Sequence, residues 1–408
     1  KKSFSFKMIH VKNVAVGISG GVDSAVAALL LKKRGYNVIG VYMKNWDLVD
    51  ENGICSTSED LEYAKYTCNQ IDIPFHEVNF VKEYWNNVFV AFTKEYEDGY
   101  TPNPDILCNK YIKFNAFSNY AFKKLRADAI ATGHYAKTSF GNFLENYKPQ
   151  TKAKLLVAKD IMKDQTFFLS QIPQETLKKT IFPLGDLHKS EVKKIAEEND
   201  MKKLSRKPES MGICFIGSRN FQTFIDQYIK PKPGKFINMI TGKEEGKHDG
   251  IHMWTVGQRC RIKGFSVPRF VVKKDPTTAN IWVVAGTNHS LLYSYIFVTE
   301  KPYWIAEPPN NLYYGCKVHF KFQHVKSTTN CQVISIKNDN LLVIIDKPLR
   351  ALTQGQYAVF YQENECLGSA RITHVGPSLY SLGLTVPENY EEYAEKCNSE
   401  TKSINTQL

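Results

Sequence analysis

Apolar residues follow two rhythms along this chain. Over residues 12–200, short apolar runs alternate with stretches of helical spacing. Residues 14–18 predict a strand, 25–34 a helix stopped by Gly35, and 38–42 a second strand. Residues 59–71 predict a helix, with Leu61, Ala64, Cys68 and Ile71 on one face, so Cys68 reads as core. Residues 75–80 predict a strand, and 129–132 a short one that runs into Gly133-His134. Such alternation predicts a parallel sheet with helices on both faces, and ligands beyond the carboxyl ends of its strands. From Ile281 onward the rhythm becomes short β-rich runs at 281–285, 295–298, 317–322, 332–336, 341–345 and 358–361, most of them separated by turn residues. That pattern predicts a small antiparallel barrel.

Between the two lies a basic, irregular stretch holding Ser205-Arg206-Lys207-Pro208 and Lys230-Pro231-Lys232-Pro233-Gly234. It reads as the start of a small middle domain. The expected organisation is a catalytic domain over 1–204, a central domain over 205–275, a barrel over 276–386 and a disordered tail over 387–408. The tail is polar and poor in aliphatics.

The first joint carries Ser19-Gly20-Gly21-Val22-Asp23-Ser24. A Gly-rich turn that leaves a buried strand and opens a helix gathers backbone N–H groups and the positive helix end around an anion. Neither G-x-G-x-x-G nor G-x-x-x-x-G-K-[ST] is present. The turn resembles the pyrophosphate-binding loop (PP-loop) of ATP pyrophosphatases, which split ATP between the α and β phosphates and leave AMP on an acceptor. The resemblance implies an α/β, adenine-nucleotide-alpha-hydrolase-like parallel sheet, and adenylation rather than γ-phosphate transfer. The turn, Met43 and Gly133 share the predicted rim.

Charge widens the field of partners. The chain of 408 residues has a formal net charge of +12, which suits a polyanion. It is 43% apolar and 23% charged, ordinary for a globular protein, and has no run of about 18 apolar residues that would predict a membrane span. Nine cysteines, widely spaced and without C-x-x-C, argue against a disulfide scaffold or a four-ligand zinc site, so no bound structural metal is expected. The first seven residues are basic without an acid, compatible with the remnant of an organellar transit peptide.

Two cysteines stand out by context. Thr101-Pro102-Asn103-Pro104-Asp105-Ile106-Leu107-Cys108-Asn109-Lys110 is stiffened by two prolines, and helical spacing begins after it. This places Cys108 at or just before a helix N-terminus, where the helix end, Lys110 and Lys113 favour a thiolate. Asp105, three residues upstream, suits a proton-transfer partner or a base contact. In Glu209-Ser210-Met211-Gly212-Ile213-Cys214-Phe215-Ile216-Gly217, two glycines flank Cys214 and let the chain present a thiol near Arg206, Lys207 and Arg219. Together the two cysteines point to redox or sulfur-relay chemistry, since one thiol can resolve a persulfide on the other.

These segments join Tyr42-Met43-Lys44-Asn45-Trp46, Ala131-Thr132-Gly133-His134-Tyr135-Ala136, Lys163-Asp164-Gln165 and Thr255-Val256-Gly257-Gln258-Arg259 in a collinear set. The set resembles the tRNA-specific 2-thiouridylase family over about residues 12–376, and its mitochondrial members more closely than its bacterial ones. The resemblance implies that ATP, with Mg²⁺, binds Gly17, Ile18, Ser19, Gly20, Gly21, Val22, Asp23, Ser24, Met43 and Gly133. It implies adenylation at C2 of the wobble uridine (position 34) of a tRNA, then sulfur transfer that gives 2-thiouridine, AMP and pyrophosphate. Cys108 is then the nucleophile, Cys214 the persulfide carrier, and Asp105 a proposed acid/base. Asn103, Pro104 and Asp105 would meet the target base, and Lys163, Asp164, Gln165, Lys321 and Phe322 the tRNA. At Lys321-Phe322 bacterial members often have Arg-Tyr, and lysine cannot hold a phosphate bidentately. Implied partners are tRNAs for Lys, Glu and Gln and a persulfide donor fed by a cysteine desulfurase relay.

Two other readings keep part of this picture. An amide- or arginine-precursor-forming ligase shares the ATP chemistry but needs neither paired cysteines nor basic tail domains. A catalytically silent RNA-binding protein would not need an intact phosphate loop. The implied compartment is mitochondrial, from Val81-Lys82-Glu83-Tyr84-Trp85 and Thr166-Phe167-Phe168-Leu169-Ser170-Gln171, and otherwise cytoplasmic. Cys55 carries no assigned role.

Overall fold

The apolar run Asn13–Gly17 (β1) is buried from Val14 onward and forms the centre of a five-stranded parallel sheet. The fold is that of a computed structural model, which describes residues 11–46, 56–208, 216, 219–324 and 327–387. Helix α1 (Val22–Lys33) starts three residues earlier than its apolar spacing predicts, because Gly21 takes the extended N-cap conformation. Its Val22, Ala25, Val26, Leu29 and Leu31 are buried. Each such valine or leucine contributes about 1.5–3 kcal/mol by leaving water. β2 (Asn37–Lys44), α2 (Ser56–Gln70) and β3 (Phe75–Asn79) follow.

Next comes a helical run of α3 (Val81–Tyr84), a π-type segment Trp85–Phe89 and α4 (Val90–Glu97). A second run joins α5 (Pro104–Cys108), a π-type segment Asn109–Ala116 and α6 (Phe117–Lys123). β4 (Ala129–Ala131), β5 (Lys137–Thr138), β6 (Leu155–Leu156), α7 (Thr166–Leu169), α8 (Gln174–Leu177), β7 (Thr180–Ile181) and α9 (Lys189–Glu198) complete this part. The sheet order is β3-β2-β1-β4-β7. The chain therefore winds one way from β1 and the other way from β4. That reversal opens a crevice between their carboxyl ends, where a ligand fits.

The middle sheet runs Arg259–Cys260, Arg269–Asp275, Asn280–Ala285, Gly234–Asn238, Glu244–His248. This corrects the assignment of residues 281–285 to the barrel: Ile281 and Trp282 pair with Phe236 and Ile237 in the middle sheet. Alternation reveals a strand but not which sheet receives it.

The barrel is six-stranded and antiparallel. Its edge strands, Tyr293–Thr299 and Glu365–Val375, pair with each other and close it. The strand Glu365–Val375 also reaches out to pair with β6, so the barrel is stitched to the first domain by backbone bonds. Among the described residues no helix is long and apolar enough to cross a membrane.

Candidate active site

The turn after β1 closes on itself. Ser24 Oγ accepts from the Ser19 amide at 3.1 Å, lies 3.2 Å from Ser19 Oγ and donates to the Gly21 carbonyl at 3.0 Å. Gly20 has φ +77°, and a Cβ there would lie 2.4 Å from the Asp60 carbonyl oxygen. A Cβ on Gly133 would lie 2.6 Å from the Ser24 nitrogen, and one on Gly17 would lie 3.1 Å from Met43 Cε. Gly17, Ser24, Met43 and Gly133 therefore crowd one spot at the β1/β4 crevice. α1 has no side-chain cap at Gly21, which suits its first-turn N–H groups to an anion. Ile18 extends β1 through its amide to the Val41 carbonyl at 2.8 Å. These residues fit a nucleotide's phosphates.

Asp23, at the start of α1, is engaged by side chains from later in the chain. Lys189 Nζ donates to its two carboxylate oxygens at 2.8 and 2.7 Å, and Tyr135 Oη donates to it at 2.9 Å. Lys189 opens α9, far along the chain, and local sequence gave no signal for it. Lys207 similarly reaches Asp60 at 2.6 Å, just behind Gly20.

The segment expected to carry the nucleophile differs from its expected form. The helix does not begin after Cys108 but at Pro104, with Asn103 as N-cap, its Oδ1 accepting from the Ile106 amide at 3.3 Å. Proline is tolerated here because the first helical position needs no N–H. Cys108 is therefore in the second turn, only 4% exposed, and the helix-end contribution to its thiolate is weaker than expected. Asp105 lies one turn before it. Burial pushes the Asp105 carboxyl above its ordinary value, while Lys113 pulls it down. Lys113 Nζ also lies 3.5 Å from His134 Nε2, and His134 Nδ1 is 2.8 Å from Thr132 Oγ1. Burial first, and then the Lys113 charge, hold His134 well below its ordinary pKa, so the ring is neutral and Nε2 accepts. Lys110, expected to favour the thiolate, instead donates to Gln171 Oε1 at 3.0 Å. His134 thus links the cradle, through its neighbour Gly133, to the helix that bears Asp105 and Cys108. Cys214, with Gly212 and Phe215, and Cys55 lie outside the described residues.

Three family models match in order along the chain: a tRNA methyl transferase HUP domain at residues 12–218, a tRNA methyl transferase PRC-barrel domain at 222–285, and an aminomethyltransferase β-barrel domain at 294–372. Mitochondrial tRNA-specific 2-thiouridylase 1 of Drosophila melanogaster is 47% identical over 370 residues, covering 90% of this chain and 95% of that protein. The human protein of the same name is 48% identical over 393 residues, covering 92% and 93%. The tRNA-specific 2-thiouridylase of Bacillus cytotoxicus is 42% identical over 382 residues, covering 92% and 100%. This chain belongs to the tRNA-specific 2-thiouridylase family.

Within this 2-thiouridylase fold, two of the residues expected on tRNA face inward. Asp164 is buried, and its oxygens accept from the Ala158 amide at 3.0 Å and Thr166 Oγ1 at 2.6 Å. A carboxylate so engaged braces its loop and has no face for a polyanion. Lys321 is also buried, its Nζ 5.3 Å from the centre of the Tyr361 ring. Desolvation lowers its pKa, and Asp164 opposes that shift. Its charge is spent in the seam between barrel and first domain, and Phe322 packs half-buried against the barrel core. Gln165 Oε1 accepts from the Tyr135 amide at 3.0 Å, while the Gln165 amide donates to the Tyr135 carbonyl at 2.9 Å. Gln165 thus fixes the stretch that carries Gly133 and His134. Lys163 is half-buried beside it. Among the described residues no group of three His, Cys, Asp or Glu is placed to hold a metal ion.

Proposed function

We propose that this protein is an ATP-dependent tRNA 2-thiouridylase that converts the wobble uridine to 2-thiouridine. The supporting observation is the convergence at the β1/β4 crevice: Gly133 packs on Ser24 of the phosphate turn, and His134 beside it touches Lys113 of the helix bearing Asp105 and Cys108. One site can then hold an α-phosphate and a carbonyl to be activated.

The turn from Gly17 to Ser24 binds the triphosphate through backbone N–H groups, and Mg²⁺ carried with the nucleotide would offset its charge. The uridine, flipped from the anticodon stack, enters beside Asn103, Pro104 and Asp105. Its O2 attacks the α-phosphorus, and pyrophosphate leaves. Adenylation makes a poor electrophile reactive, because AMP is a far better leaving group than oxide. Asp105, whose carboxyl burial holds above its ordinary value, is suited to exchange a proton with the base. Cys214 arrives as a persulfide. The Cys108 thiolate attacks its inner sulfur, hydrosulfide departs and adds to C2, and collapse of the adduct expels AMP. A Cys108–Cys214 disulfide remains and takes two electrons from a thiol reductant. The persulfide donor is a protein of a cysteine desulfurase relay, and the substrates are tRNAs for Lys, Glu and Gln. Relatives named as mitochondrial support a mitochondrial location.

Incubation with ATP, sulfide and unmodified tRNA bearing a wobble uridine tests the reading. AMP and 2-thiouridine are the expected products, and the absence of tRNA-dependent ATP cleavage overturns it.

A further inference from the structure

We propose that Gln356, in the C-terminal barrel, is a positioning residue for Asp105 and Cys108. The turn Gln354-Gly355-Gln356 clasps Thr101-Pro102-Asn103 and so fixes where the nucleophile helix begins. The inference rests on the thiouridylase reading for what the helix does, but the clasp itself is geometric.

Thr101 is buried at 9% exposure, and Pro102 is buried beside it. Their carbonyls cannot be left to water, and Pro102 and Pro104 bring no N–H of their own. The barrel supplies the partners. Gln356 Nε2 donates to the Thr101 carbonyl at 3.0 Å and the Pro102 carbonyl at 3.4 Å. The Thr101 amide donates to the Gln354 carbonyl at 3.0 Å. Asn103 Nδ2 donates to Gln356 Oε1 at 3.4 Å, while the Asn103 Oδ1 caps the helix. One amide side chain therefore holds both the approach to the helix and its N-cap. Gly355 between the two glutamines has φ +91°, and a Cβ there would lie 2.9 Å from the Thr101 nitrogen, so the two backbones meet as closely as they can. Arg371 flanks the clasp, donating to Glu95 at 2.9 Å with its guanidinium 5.3 Å from the centre of the Tyr100 ring. A helix moves with its N-cap, and Asp105 and Cys108 sit in its first two turns. The barrel is thus part of the catalytic apparatus.

The test compares Gln356→Ala with Gln174→Ala in the full-length protein. Gln174 also bonds the barrel, through Ile305 at 2.6 Å, but its other bonds go to Ala153 rather than to the catalytic segment. Gln356→Ala is expected to lower kcat for thiolation by roughly tenfold to a hundredfold, the scale of a small misplacement of reacting groups. KM for ATP and tRNA should change by less than about twofold. Alkylation of Cys108 by iodoacetamide, read by peptide mass spectrometry, should change severalfold. Gln174→Ala should lower thermal stability and leave kcat and alkylation near wild type. Gln356→Glu, nearly isosteric but without the donors to the two carbonyls, should match Gln356→Ala even where the latter folds poorly. Wild-type kcat and alkylation in both Gln356 variants overturn the proposal, and so does an equal loss in Gln174→Ala. If the wild type makes no 2-thiouridine, the functional reading fails, while the alkylation comparison still decides the clasp.

Discussion

Ser19 and Ser24 close the nucleotide turn on each other across five residues, whereas Asn103 is held by a glutamine 253 positions later. The first region carries the hydrogen bonds that close its turn in its own sequence, with two serines, three glycines and an uncapped helix start, although Asp60, Gly133 and Lys189 pack around it. The second takes its geometry from elsewhere. Gln354 and Gln356 clamp its entrance, Gln171 occupies Lys110, and His134 meets Lys113. A phosphate cradle can be local because any triphosphate presents the same oxygens. On the proposed mechanism, Cys108 must meet both a flipped base and a second thiol, and its segment is set by several elements at once. Damage to the cradle should therefore show in ATP use, and damage to the segment in sulfur transfer.

The largest effect expected is at the segment. Cys108→Ser and Cys214→Ser should each abolish thiolation, by at least about a thousandfold, with tRNA binding nearly intact, measured by filter binding alongside 2-thiouridine mass spectrometry. Normal turnover in either variant would break the division of labour. In the cradle, Gly133→Ala forces the β4 loop off the Ser24 backbone, given the 2.6 Å approach. ATP cleavage should fall by about a hundredfold, comparable to a 1 Å displacement. Cys108 alkylation, by contrast, should move little. Lys189→Ala comes next. It leaves Asp23 with Tyr135 alone and its charge uncompensated beside the phosphate turn. KM for ATP should rise by roughly tenfold, the scale of one lost charge-assisted contact, with little change in tRNA binding.

The smallest effect concerns the barrel seam. Burial pushes the Glu95 carboxyl up to about 7, against the pull of Arg371. The folded state then binds the Glu95 proton more tightly than the unfolded chain does. Its contribution favours folding at low pH and is lost as pH rises from the ordinary carboxylate range through about 7. Thermal unfolding from pH 5 to 8 should show that decline, and Glu95→Gln should flatten it. An unchanged slope in the variant would remove Glu95 from the account.

How much of this was legible in the chain follows the same division. β1, the turn and α1 were readable because an apolar run, glycines and a helical stripe are local signals. Thr180–Ile181 was missed as the fifth strand, since two residues carry no period. Asn280–Ala285 was recognised as a strand but given to the wrong sheet, because hydrogen-bond partners are not written in alternation. Pro104 was read as barring a helix when it starts one. The resemblance puts Lys321 on tRNA, yet it is buried with its Nζ over the Tyr361 ring, a placement that no local pattern marks. Lys189 and Gln356 had no local signal, for their partners are 166 and 253 residues away.

A single-turnover reaction that counts AMP and 2-thiouridine together tests the central claim most directly. With ATP, a persulfide source and tRNA bearing a wobble uridine, the two should form in equal amounts, and neither should form when the tRNA is omitted. ADP in place of AMP, or AMP without 2-thiouridine when both thiols are present, would contradict an adenylating cradle coupled to a thiol pair.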